Sequence, residues 1–268
     1  MKTNRLDAFR EAFPRRTQPL LMTALVVGDP FLGATEDYLY AVVEGGADVV
    51  ELVMPFSDPA FHGPAMRRAC ARAMKEAVRW EDLFELVSRF REEEDQVPMV
   101  VSSYYNRILA CGEEQCADRM AEAGVDGVMV MDLPFEEAQG FREILEERGL
   151  SLIQHLAAST GEERFRKLVR QARGMLVWTG HTGMEVSLTG EEFHRRMKEM
   201  RKYTLVPLVA SMDVGSSEEA SEVVRSAHGV LVGSSLAWLI EGKGPGVEER
   251  LRAFVAELRV SLDAGTLV

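Results

Sequence analysis

Short apolar runs alternate with longer amphipathic segments from one end of the chain to the other. Eight of these runs have the length and composition of strands, and they occupy residues 20–27, 49–54, 99–104, 127–131, 151–156, 175–178, 207–211 and 229–232. Runs that are apolar on both faces are typical of a parallel sheet that helices cover on both sides. The pattern therefore predicts buried, parallel strands.

The segments between the runs carry apolar residues at helical spacing, with charged residues between them. They predict helices at residues 35–44, 64–77, 81–94, 113–123, 136–148, 162–173, 190–203 and 217–226, with two further helices at residues 4–13 and 247–263. Eight alternating strand–helix units predict an α/β fold, a TIM (β/α)8 barrel with extra N-terminal and C-terminal helices. We expect residues 1–268 to form a single domain, because no linker-like composition interrupts the alternation.

Charge and cysteine content narrow the class of protein further. The net charge of −12 and the isoelectric point near 5.0 argue against a nucleic-acid-binding protein, which needs a basic surface. No apolar run approaches the roughly 20 residues of a membrane span, and the first residues lack a signal-peptide core. The three cysteines, Cys70, Cys111 and Cys116, have no metal-ligand spacing. These features predict a cytoplasmic protein with reduced thiols and no metal site.

Glu51 is the most informative single residue, because it interrupts an apolar strand just before a loop bounded by Pro55 and Pro59. An ionised carboxylate in such a strand is costly unless it is paired or used chemically. Glu51 is therefore a candidate acid/base group. A carboxylate satisfied by the backbone or by a nearby arginine is the structural alternative.

The loops that follow the last three predicted strands are rich in glycine and hydroxyl residues, at residues 180–183, 212–215 and 233–235. In a TIM barrel, late loops and the start of a short extra helix commonly bind phosphate through backbone N–H groups. These loops predict a phosphate site. The alternative is a set of ordinary glycine turns with a serine helix cap.

Several motifs together resemble the α subunit family of tryptophan synthase. They are Gly28-Asp29-Pro30, Glu51-Leu52 with Pro55-Phe56-Ser57-Asp58-Pro59, Asp132-Leu133-Pro134, and the glycines of the late loops. The resemblance implies a TIM barrel that cleaves indole-3-glycerol phosphate into indole and glyceraldehyde 3-phosphate by a retro-aldol reaction. It also implies that the chain has no cofactor of its own and that its partner is a β subunit carrying pyridoxal phosphate.

The resemblance also suggests roles for individual residues. Glu51 matches the family's acid/base residue, and His62 occupies the position of its second catalytic carboxylate. The remaining assignments are substrate binding for Tyr104, Met131, Asp132 and Thr182, phosphate binding for Gly183, Gly233 and Ser234, and the partner interface for Asp58.

Three departures from the family pattern support an alternative function. His62 replaces an aspartate, and Trp178 with His181 is expected to enlarge the sixth loop. Asp213 replaces a glycine at the phosphate site, unless a shift of the alignment by one residue makes Gly215 that glycine. The alternative is a catalytically weak or inactive paralogue that acts as an allosteric partner or binds another ligand. For phosphate binding to survive, the carboxylate of Asp213 must turn outward. His155 is either a buried core histidine or a residue of the site.

Overall fold

Eight parallel strands close into a barrel in chain order, each one pairing with the next and β8 pairing with β1. The computed structural model describes residues 4–180, 190–242 and 244–264. The strands are β1 Leu20–Val26, β2 Val49–Val53, β3 Met99–Ser103, β4 Gly127–Val130, β5 Ser151–Ala157, β6 Leu176–Thr179, β7 Leu208–Ser211 and β8 Gly229–Val232. The predicted TIM barrel is thereby confirmed, and each strand starts within one residue of its predicted position.

Helices surround this barrel within the described residues. They are α1 Arg5–Ala12, α2 Leu32–Glu44, α3 Pro64–Ala73, α4 Trp80–Glu93, α5 Tyr105–Cys111, α6 Glu113–Ala123, α7 Gln139–Glu147, α8 Glu162–Gln171, α9 Glu191–Arg201, α10 Ser217–Val224, α11 Ser234–Glu241 and α12 Val247–Ala264. Helix α5 was not predicted, because its seven residues bury only Ile108 and give no helical repeat. In the part of the chain that is described, no helix is long and apolar enough to cross a membrane.

Alternation along each strand divides the side chains between the barrel interior and the helical shell. On β2, Val49 and Val53 pack in the interior cluster with Glu51 between them, whereas Val50 and Leu52 pack against the helices. The same alternation places Trp178 of β6 on the outer side, fully buried against Phe193 of α9 with ring centroids 5.4 Å apart. The prediction that Trp178 enlarges the sixth loop is wrong, because Trp178 belongs to the strand and faces away from the site.

Helix α1 closes the amino-terminal end of the barrel. Leu6 is completely buried and packs against the backbone of Gly127 and Gly174, where added side-chain carbons would lie 2.7 and 3.6 Å from it. Asp126 is buried as well and forms ion pairs with Arg5 at 3.1 Å and Arg91 at 2.9 Å. These contacts fix the first helix to the end of the barrel opposite the strands' carboxyl ends.

Candidate active site

A pocket lies at the carboxyl ends of the strands, with the loop after β2 at its edge. This main pocket is lined by Ala24, Glu51, Phe61, His62, Gly63, Met66, Met129, Met131, His155, Val177, Thr179, Ser211, Met212, Asp213, Leu231, Gly233 and Ser234. Catalytic residues of TIM barrels come from this end of the strands. Five of the residues suggested by the sequence meet here: Glu51, His62, Met131, Gly233 and Ser234.

Glu51 is the buried acidic group of the main pocket. Its side chain points into the barrel and only 3% of its surface is exposed. Burial raises the pKa of Glu51 to about 7, and Ser102 on β3 only partly offsets that rise. The Ser102 hydroxyl forms no well-aligned hydrogen bond with any group, so its effect on the carboxyl group of Glu51 is weak. Glu51 therefore exchanges a proton near neutral pH, as a general acid or base requires.

His62 lies in the loop that follows β2 and faces the main pocket. Burial lowers the pKa of His62 to about 4, and the positive charge of Arg67 adds to the effect. The Tyr104 hydroxyl lies 3.4 Å from His62 Nδ1 and accepts the Phe61 backbone N–H at 3.1 Å. His62 is thus a neutral imidazole at pH 7, positioned beside the phenol of Tyr104.

His155 on β5 also faces the pocket. Its Nε2 lies 2.5 Å from the Thr179 hydroxyl of β6. Burial lowers the pKa of His155 to about 4, and the neighbouring His62 lowers it further. Two neutral imidazoles therefore line one pocket, and no three acidic, histidine or cysteine side chains of the described chain are grouped to hold a metal ion.

Asp213 is exposed to solvent, as the sequence analysis required, but its side chain also borders the main pocket. A side-chain carbon placed on Gly63 would lie 3.7 Å from both a carboxylate oxygen of Asp213 and the hydroxyl oxygen of Ser234. The Ser235 hydroxyl donates to the Val214 carbonyl, which ties this loop to the start of α11. The carboxylate of Asp213 thus stands at the wall of the main pocket, next to the helix start that was predicted to bind phosphate.

The other suggested residues lie around the pocket rather than in its lining. Tyr104 stacks on Phe56 with ring centroids 4.4 Å apart and so supports the loop after β2. The carboxylate of Asp132 accepts the Tyr105 backbone N–H at 2.7 Å, at the start of α5. Asp58 is exposed. Two further suggestions, Thr182 and Gly183, lie outside the described residues.

Sequence reasoning missed several residues of the main pocket, among them Thr179, Val177 and Leu231. Ser211 also lines this pocket, and it lies in strand β7 rather than in the loop that follows. These residues occupy interior-facing positions near the carboxyl ends of β6, β7 and β8. A count of every second residue back from each strand end would have found them. The polar residues Thr179 and Ser211 were the detectable signal, because a polar side chain in a buried strand requires a partner.

Comparisons with known proteins agree with this geometry. A family model described as tryptophan synthase alpha chain matches residues 11–264. The tryptophan synthase alpha chain of Geobacter sulfurreducens is 38% identical over 223 residues, covering 82% of this chain and 84% of its own length. That of Xanthomonas axonopodis pv. citri is 36% identical, covering 97% and 99%. The crystal structure of the Legionella pneumophila alpha subunit superposes with a TM-score of 0.89 at 29% identity, covering 97% and 99%.

Proposed function

The chain belongs to the tryptophan synthase α chain family, and we propose that its main pocket cleaves indole-3-glycerol phosphate to indole and glyceraldehyde 3-phosphate. The enzyme is thus a lyase of tryptophan biosynthesis. The observation that supports this reaction best is Glu51, a carboxyl group with a pKa of about 7 that faces the interior of the main pocket. The family relationship suggests the reaction, and the buried carboxyl group supplies the chemistry that the reaction needs.

Glu51 serves as the proton donor and acceptor of this reaction. Cleavage requires a proton at C3 of the indole ring and removal of the proton from the glycerol hydroxyl that becomes the aldehyde. After C3 is protonated, removal of the hydroxyl proton lets the O–H electrons form the aldehyde carbonyl. The carbon–carbon bond breaks in this step, and its electrons return to the indole ring. A carboxyl group with a pKa of about 7 populates both protonation states at neutral pH, so the same side chain can give one proton and take the other.

His62 binds the indole N–H, where positive charge develops once C3 is protonated. A neutral imidazole accepts this hydrogen bond but brings no negative charge to the developing cation. Accepting it at Nε2 requires that Nδ1 carry the proton, and the Tyr104 oxygen lies 3.4 Å away to receive it. We expect this arrangement to stabilise the transition state less than a carboxylate does, because a charged acceptor interacts more strongly with developing charge.

The phosphate group binds at the start of α11, where Gly233 and Ser234 line the pocket. Position 233 is tightly packed, since a side-chain carbon there would come within 3.2 Å of Ala24 and 3.3 Å of the Met66 sulfur. Backbone N–H groups at a helix start attract anions, whereas the carboxylate of Asp213 repels them. We expect the substrate to bind weakly for this reason.

The comparisons do not support the inactive-paralogue alternative better than the lyase. We nevertheless expect His62 and Asp213 to slow turnover. Both residues change the strength of contacts to the substrate and leave the barrel and Glu51 in place. The enzyme needs no cofactor of its own under this proposal. A β subunit of tryptophan synthase, which would carry the pyridoxal phosphate, docks on the face that includes the exposed Asp58.

A steady-state assay of indole release from indole-3-glycerol phosphate tests the proposal, with and without a β subunit. We expect slow release by the wild type and none by Glu51→Gln, which keeps the shape of the side chain and removes its titration. Glu85→Gln, on the exposed face of α4, is the matched control and should retain wild-type activity. Release that is equally fast in Glu51→Gln would rule out the assigned acid/base group.

A further inference from the structure

A second pocket opens where β4 and β5 separate. The two strands pair from Gly127↔Ser151 to Met129↔Ile153, and the pairing ends there although β5 continues to Ala157. This side pocket extends from the gap towards α7 and α8, and its wall includes Val130, Leu133, Phe135, Gln154, Thr160 and Leu168. Its volume is about 240 Å³.

Gln154 is the polar group that the fold leaves unused in the side pocket. Its side chain is on the outer side of β5, with only 6% of its surface exposed, and it lines the pocket. No residue of the described chain hydrogen-bonds to its amide. An amide that faces a pocket has space for a partner from outside the chain.

The wall of the side pocket favours a neutral, largely apolar ligand. The two charged residues at its rim already have partners, since Arg164 binds the Glu136 carboxylate at 3.0 Å and Asp132 accepts the Tyr105 N–H. The rest of the lining is mostly aliphatic and aromatic. The side pocket is open to solvent, and its volume leaves room for a two-ring compound.

We propose that the side pocket is an auxiliary binding site for a neutral bicyclic heteroaromatic molecule whose ring N–H is bound by the Gln154 amide oxygen. The apolar rings would lie against Leu133, Phe135 and Leu168, and the single donor would reach the amide. Indole is a molecule of this kind. The site is separate from the reaction in the main pocket, and it exists whether or not that pocket turns over substrate.

Three residues line both pockets. Phe61, Met131 and His155 face the main pocket on one side and the side pocket on the other. His155 is held in place by its contact with Thr179, and Phe61 by its backbone contact with Tyr104. A ligand in the side pocket therefore touches residues that also touch a molecule in the main pocket.

Equilibrium dialysis with indole and a crystal soak with 5-bromoindole test the proposal. We expect the wild type to bind two indoles per chain and the bromine signal to appear in both pockets. Gln154→Leu should weaken the side-pocket site about tenfold, the effect of losing one hydrogen bond. Ala138→Leu, which fills the side pocket, should abolish that site and leave one indole per chain. Gln115→Leu, at an exposed position of α6, is the matched control and should bind like the wild type.

Binding of a single indole by the wild type, with bromine in the main pocket alone, would overturn the proposal. An unchanged side-pocket affinity in Gln154→Leu would overturn the role of the amide. The lyase assay separates this proposal from the proposed function, because it reports on the main pocket. Two bound indoles without lyase activity would support the side pocket and contradict only the reaction, whereas activity with one bound indole would do the reverse.

Discussion

Glu51 is a carboxyl group that the fold stabilises in its protonated form. Because burial raises its pKa from 4.5 to about 7, the native state binds more protons than the unfolded state between those pH values. The free energy of unfolding therefore falls as pH rises from 4.5 to 7, by up to about 3 kcal/mol from this residue alone. Proton exchange near neutral pH thus comes at the expense of stability.

Glu51→Gln should remove this contribution and make the protein more stable than the wild type at pH 8. Thermal unfolding of both proteins between pH 4.5 and 8 measures the difference, which should grow as pH rises. The difference between the two proteins is the relevant quantity, because His62, His155 and His228 act in the opposite direction. Their pKa values of about 4 make the folded protein lose stability as pH falls below 6.5. Parallel curves for the two proteins would show that Glu51 titrates at its ordinary pKa.

His62→Asp should raise lyase activity, because a carboxylate stabilises the developing indole cation better than a neutral imidazole. The gain in kcat/KM should reach roughly 10²-fold, the scale of one well-placed electrostatic group. Steady-state kinetics of indole release measure it, with His194→Asp as a control at a histidine of α9 that does not line the main pocket. A loss of activity in His62→Asp would mean that imidazole has a catalytic role of its own.

For individual residues, the sequence predicted which functional groups could act in the site, but it did not predict the direction in which their side chains point. Glu51 is predictable because a lone carboxylate stands out in an apolar strand. Asp213 was expected to point outward because of charge repulsion, and it is exposed, but the sequence did not show that its side chain also borders the main pocket. Gln154 carried no signal, because a glutamine in a strand is informative only when the cavity beside it is known.

The loop between β7 and α10 is the element that most changes the phosphate site. Asp213→Gly should remove the negative charge next to Ser234 and lower the KM for indole-3-glycerol phosphate by about tenfold, the effect of one unfavourable charge contact of about 1.4 kcal/mol. The value of kcat should change little, because the carboxylate lies at the phosphate end of the pocket rather than at Glu51. Initial-rate kinetics separate the two constants. An unchanged KM would show that the carboxylate does not approach the phosphate.

Strands and long helices followed from the apolar pattern, whereas short elements did not. Helix α6 spans Glu113–Ala123, as its sequence repeat predicted. Helix α7 begins at Gln139, three residues later than predicted, because the preceding residues form a turn in which the Glu137 N–H binds the Pro134 carbonyl. Helix α5 depends on a tertiary contact, since Asp132 from another loop satisfies its first N–H. Such contacts leave no repeat in the sequence.

In the whole molecule, the two ends of the barrel have different tasks. The carboxyl end holds the main pocket, and the amino end is closed by α1. Leu6→Ala should therefore destabilise the protein by about 3 kcal/mol, the usual cost of removing a buried leucine side chain. Denaturant unfolding measures this cost, and the kcat/KM of the folded variant should stay at the wild-type value. A lowered kcat/KM at full folding would show that the two ends are coupled.

The closure of the barrel by α1 has a consequence for how the protein is made on the ribosome. The first helix is synthesised early, but its partners come much later in the chain. The Asn4 amide donates to the carbonyl oxygens of Asp126 and Gly149, at 2.8 and 2.6 Å, and Leu6 packs at Gly174. Translation proceeds at about 5–20 residues per second, so these partners follow the first segment by roughly 6 to 34 s. Until then, the side chain of Leu6 has none of the contacts that bury it completely in the folded protein.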